Sequence, residues 1–68
     1  MENNKYNLTN RELDILKRIV KGMNNYEIAD ELFLSYHTIK VYVASILKKL
    51  NAKNRILAAI KAIIEEIV

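Results

Sequence analysis

The chain has no cysteine, no proline and no tryptophan, and only one glycine and one histidine. Without cysteine there is no disulfide framework, no thiolate metal site and no cysteine nucleophile. The lone His37 cannot assemble a histidine metal cluster. Without proline, and with a single glycine at 22, the punctuation of a loop-rich or all-β fold is missing. The uncharged stretches at 41–47 and 56–60 fall far short of the roughly 20 apolar residues that a membrane-spanning helix needs. The N-terminus has no apolar core of a signal peptide. What is present is a hydrophobic fraction of 51% in 68 residues. That excludes a disordered tail and bounds the chain at one soluble, cytoplasmic, mostly helical domain. A chain this short buries only about 60% of its unfolded surface, so a second copy would help to stabilise it.

Charge is unevenly spread. The net charge is only +3, but between Leu32 and Ile64 there is no acid and there are six bases: Lys40, Lys48, Lys49, Lys53, Arg55 and Lys61. A positive second half suits a polyanionic partner. A solvated basic face is the plain alternative.

Residues 1–7 are polar and expected to fray. Thr9 and Glu12 form a capping box with Leu8 at the staple position. Leu13, Leu16, Ile19 and Val20 then recur at helical spacing, and Gly22 is a natural stop. This predicts a helix over about 10–21. Asn24 and Glu27 repeat the box, and Ile28, Ala29 and Leu32 give a second helix over about 25–32. Three residues later Ser35 caps a third helix over about 36–50. That gap is the length of a helix-turn-helix connection. Ile39, Val43, Ile46 and Leu50 are its predicted core strip, and Asn51 its terminator. A fourth helix, over about 54–67, starts at the N-cap Asn54. Ile56, Ala59, Ile60, Ile63 and Ile67 form one apolar stripe, widened by Leu57, Ile64 and Val68. The arc is wider than a small core needs, so its surplus marks an interface.

The other face of the third helix carries Lys40, Val41, Ala44, Ser45 and Lys48, flanked by His37, Thr38 and Tyr42. Small side chains let a helix approach another surface closely, and lysines and hydroxyls suit phosphate oxygens. A major-groove helix needs this arrangement. Lys40 can donate to guanine, and the methyls of Val41 and Ala44 can meet thymine.

Specific landmarks stand at Leu8-Thr9-x-Arg11-Glu12, Gly22, Asn25-x-Glu27-Ile28-Ala29, Leu32, Ser35-x-x-Thr38-Ile39-Lys40, Ile46, Lys49-Leu50 and Asn54-Arg55. By them, residues 8–62 resemble the LuxR/NarL-type, or GerE-type, helix-turn-helix family of bacterial transcription regulators. The resemblance implies a four-helix all-α fold, with the third helix in the major groove and the fourth as dimer contact. It implies base contacts from Lys40, Val41 and Ala44, and phosphate contacts from Asn25, Ser35, Thr38, Tyr42 and Lys49. With Ser45 and Lys48 these form the candidate DNA-binding set. Leu57, Ile60, Lys61 and Ile64 form the candidate dimer set. Several positions depart from the pattern: Asn10 replaces a common Pro, Tyr42 a frequent His, Asn51 the usual Gly and Leu57 a common Glu. Ala44 stands where some members carry a polar reader.

Other chemistries find little support. Tyr26, Tyr36 and Tyr42 are expected on different faces, which disfavours a single-strand stacking platform. Ser35 is explained by capping, and no base is placed to activate it. Asp14 and Arg18 form a surface i,i+4 pair. The expected function is sequence-specific double-stranded DNA binding at an inverted repeat, without enzymatic activity, cofactor or small-molecule ligand. A homodimer is expected, and RNA polymerase is a further candidate partner. Two rival classes are a helical protein-interaction module and a promoter-recognition domain like region 4 of a sigma factor. The sequence fits both a whole small regulator, which the initial Met suggests, and the output module of a longer chain, since family members often carry a receiver or ligand-binding domain ahead of it.

Overall fold

Four polar side chains set where the helices begin. The structure, a computed structural model, describes residues 5–68, and among them it holds four helices and no strand. They are α1 (Asn10–Val20), α2 (Asn25–Leu32), α3 (Tyr36–Leu50) and α4 (Arg55–Ile64). Thr9, Asn24, Ser35 and Asn54 are the N-caps, each accepting the backbone N–H three residues on. At α1 and α2 the expected capping boxes close, because Glu12 and Glu27 reach back to the N–H groups of Thr9 and Asn24.

All four helices stop in the same way. Gly22, Phe33, Asn51 and Glu66 adopt left-handed backbone just past each helix. The next N–H then reaches back five residues: Met23 to Arg18, Leu34 to Ala29, Ala52 to Leu47 and Ile67 to Ala62, at 2.8–3.1 Å. These are Schellman closures, which satisfy carbonyls that the helix leaves open. Met23, Leu34, Ala52 and Ile67 pack against the core and anchor each closure. The prediction that the fourth helix runs to 67 is therefore corrected. It ends at Ile64, because burying Ile67 requires the turn at Glu66. Phe33 has no residue preference for its left-handed backbone, and its side chain is 92% exposed. Phe33→Asn should stabilise the fold by about 0.5–1 kcal/mol, read as a raised urea midpoint at unchanged slope. A lowered midpoint would show that the ring contributes to the fold.

Ile15, Leu16, Ile28, Ile39, Ile46 and Leu50 are the largest fully buried side chains. Val43 completes the predicted strip of α3, which packs against all three other helices. The predicted apolar stripe is not the buried side of α4. Its buried residues are Ala58 and Ala62, while Ile56 and Ile64 are 69% and 74% exposed and Ile60 and Ile63 also face water. α4 packs against both α1 and α3. Alanine permits that close approach, and an isoleucine stripe there would overfill the core.

Of the segment 1–7 expected to fray, residues 1–4 lie outside the described residues. Tyr6 packs against the core, and its hydroxyl donates to Glu65 at 2.6 Å. Among the described residues, no helix is long and apolar enough to cross a membrane.

Candidate nucleic-acid interface

Burial of one strip of α3 dictates what the opposite strip presents. With Ile39, Val43, Ile46 and Leu50 inward, His37, Val41, Ala44 and Lys48 point directly outward. All four are exposed, as is Lys40 at the edge of the strip. The outward surface therefore combines small or apolar groups with two lysines. Of the candidate set, Lys40, Val41, Ala44 and Lys48 are brought together here.

The other flank of α3 behaves differently. Thr38, Tyr42, Ser45 and Lys49 are half-buried. Tyr42 packs against the core, and the Ser35 hydroxyl donates to Thr38 Oγ1 at 2.8 Å. Ser45 and Lys49 face α1. Ser45 Oγ donates to Glu12 Oε2 at 2.6 Å, and Lys49 Nζ donates to Glu12 Oε1 at 2.8 Å and to the Asn7 carbonyl at 3.0 Å. Glu12 is the one buried charged residue among those described. Burial pushes its carboxyl up, but donation from Lys49, Ser45 and the Thr9 N–H, with the Lys49 charge, outweighs this and holds it at about 2. Capping-box spacing accounts for Glu12 locally. Nothing in the sequence flags its partners on α3.

Side-chain contacts join the N-terminus of α2 to the N-termini of α4 and of α3. Asn25, the first residue of α2, accepts a hydrogen bond from Arg55, the first residue of α4, at 2.6 Å. Arg55 also donates to the Met23 carbonyl at 3.0 Å. The candidate amide of Asn25 is thus oriented by Arg55, a residue outside the candidate DNA-binding set. Tyr26 on α2 stacks on Tyr36, the first residue of α3, with ring centroids 4.2 Å apart. This corrects the expectation of different faces for Tyr26 and Tyr36, while Tyr42 stays apart against the core. Each N-terminus carries partial positive charge and outward N–H groups, a setting that favours anions. Glu27 closes the capping box at the α2 N-terminus, whereas Glu31 turns to Arg18 of α1. Arg18 joins Asp14, its predicted partner, to Glu31 through its guanidinium.

In the candidate dimer set, Leu57, Ile60 and Ile64 are exposed on the outward face of α4, and Ile56 and Ile63 join them. Lys61 does not, because its ammonium turns toward the Tyr6 ring, 5.1 Å from its centroid. Between this face and the end of α1 runs a groove of about 320 Å³, lined by Ile19, Met23, Ile56, Ile60 and Ile63.

Residues 6–62 match the family model described as bacterial regulatory proteins, luxR family. The chain is similar to a nitrate/nitrite response regulator protein homolog of Haemophilus influenzae, 42% identical over 53 residues that cover 78% of this chain and 26% of that protein. It is 46% identical over 55 residues to the transcriptional regulatory protein LiaR of Bacillus subtilis, covering 81% of this chain and 26% of LiaR. A virulence regulator of Bordetella pertussis, BvgA, is 49% identical over 45 residues, 66% of this chain and 22% of that protein. The chain thus spans about a quarter of the length of the curated relatives it matches. With its helix-turn-helix of α2 and α3, the chain belongs to the luxR family of bacterial regulatory proteins, which are DNA-binding transcription regulators and not enzymes.

Proposed function

We propose that this domain binds double-stranded DNA sequence-specifically, with α3 in the major groove, and pairs with a second copy through α4. The observation that carries this is the outward strip of α3. Val41 and Ala44 are short enough to admit a base edge, and Lys40 and Lys48 supply donors beside them. The N-termini of α2 and α3, linked by the tyrosine stack, suit phosphates beside the groove. Ser45 and Lys49 contribute indirectly, by tying α3 to α1 through Glu12. Two copies related by a two-fold axis would read an inverted repeat with half-sites about 34 Å apart. In the cell the domain would regulate transcription, with RNA polymerase as a further partner.

Selection from a random double-stranded library at two salt concentrations tests this. Enrichment of an inverted motif is expected. Salt-sensitive binding with no motif would leave only counterion release and sink the claim of specificity. On the selected operator, Lys40→Ala should cost about 1–3 kcal/mol and relax preference at one base pair per half-site. An equal loss on every sequence would make Lys40 a phosphate contact instead.

A further inference from the structure

Tyr26 and Tyr36 form a stack that the core does not explain. Their planes are 19° from parallel, yet Tyr26 keeps 68% and Tyr36 38% of its surface in water. Neither belongs to the core cluster or to the partly buried shell around it. Such exposed rings add little burial, but they fix each other's orientation at the first turns of α2 and α3. Lys40 stands four residues after Tyr36, hence on the same side of α3, and its Nζ lies 5.7 Å from the Tyr36 ring centroid.

We propose that the Tyr26–Tyr36 stack positions Lys40 for sequence discrimination. The inference rests on the DNA-binding function proposed above. A free lysine has four rotatable bonds and loses much of that freedom when its ammonium is fixed on a base edge. An ammonium held against an aromatic face has already lost part of it. The ring quadrupole attracts the cation without neutralising it or consuming its N–H donors. Lys49 shows the contrast, since its ammonium is occupied by the Glu12 carboxylate and the Asn7 carbonyl. Lys40 is held but still available. Tyr36 is thus a positioning residue, and Tyr26 supports it from α2.

Two measurements on the full chain test this. In the DNA-free protein, the Lys40 side-chain protons should show an upfield ring-current shift that Tyr36→Leu abolishes and Tyr36→Phe retains. On DNA, the readout is the affinity ratio between the selected operator and the operator changed at the base pair that Lys40→Ala relaxes. Tyr36→Leu should lower this ratio about two- to fivefold, the worth of an exposed cation–π contact. Tyr36→Phe should leave it unchanged, and Tyr26→Leu, which removes the stack from the other side, should lower it less. In a Lys40→Ala background Tyr36→Leu should have no further effect on the ratio. A purely structural role would lower both affinities together in either background and overturn the proposal. So would an equal loss in Tyr36→Phe, which would assign the effect to the hydroxyl. An absent ring-current shift with an intact motif overturns the tyrosine role alone. Absence of any selected motif sinks the DNA proposal, and with it the discriminating role of Lys40, whatever the spectrum shows.

Discussion

Glu12→Ala should lose on the order of 3 kcal/mol of folding stability at pH 7, although Glu12 lies on no outward surface. In the folded chain its carboxylate accepts from the Thr9 N–H, from Ser45 and from Lys49, joining the start of α1 to the C-terminal half of α3. Removing it leaves these donors without their acceptor in a poorly solvated site. The magnitude follows from linkage. A carboxyl held at about 2 when folded, against 4.5 ordinarily, contributes on the order of 3 kcal/mol at neutral pH.

The direction with pH follows as well. The folded value is depressed, so this contribution is complete above about pH 5. It is lost as pH falls from 4.5 toward 2. Glu65 is held down in the same direction, first by the hydrogen bond from Tyr6, so the wild-type curve alone does not isolate Glu12. The stability difference between wild type and Glu12→Gln does. It should be large at pH 6–7 and shrink steadily below pH 4.5. A difference that stays constant from pH 6 to pH 3 would show that the carboxylate is not held by these donors. Because Ser45 and Lys49 belong to α3, Glu12→Gln should also weaken DNA binding without touching the outward strip.

Local chemistry was legible in the sequence, and distant packing was not. Thr9, Asn24, Ser35 and Asn54 announce helix starts because a cap involves only the next three residues. Gly22 and Asn51 announce stops because their residue types favour left-handed backbone. Phe33 and Glu66 do the same work without that preference, held by the burial of Leu34 and Ile67, and the end of α4 was misplaced accordingly. The outward strip of α3 was legible because the buried strip fixes its opposite. That Ser45 and Lys49 hold Glu12 is not legible, because Glu12 is 33 and 37 residues away in sequence. Which side of α4 is buried is not legible, because hydrophobicity ranks isoleucine above alanine, whereas close packing against α1 and α3 selects the smaller residue at 58 and 62.

The exposure of α4's isoleucines supports the expectation for Ile64→Asp. Had the isoleucines been inward, the substitution would unfold the domain. Ile64 is instead 74% exposed, so a charge there should change monomer stability by less than about 0.5 kcal/mol. Leu57, Ile60 and Ile64 present a continuous apolar face on α4, and a carboxylate within it would have to be desolvated when two copies meet. Sedimentation should therefore shift to monomer for Ile64→Asp and Leu57→Asp, with circular dichroism unchanged. Affinity for a paired operator should fall about 10²–10⁴-fold, because the second half-site is no longer engaged at the effective concentration that a linked partner provides. Affinity for an isolated half-site should stay as it was. An unchanged sedimentation profile for both variants would sink the α4 dimer. Equal losses on paired and single sites would instead place Leu57 and Ile64 at the DNA contact.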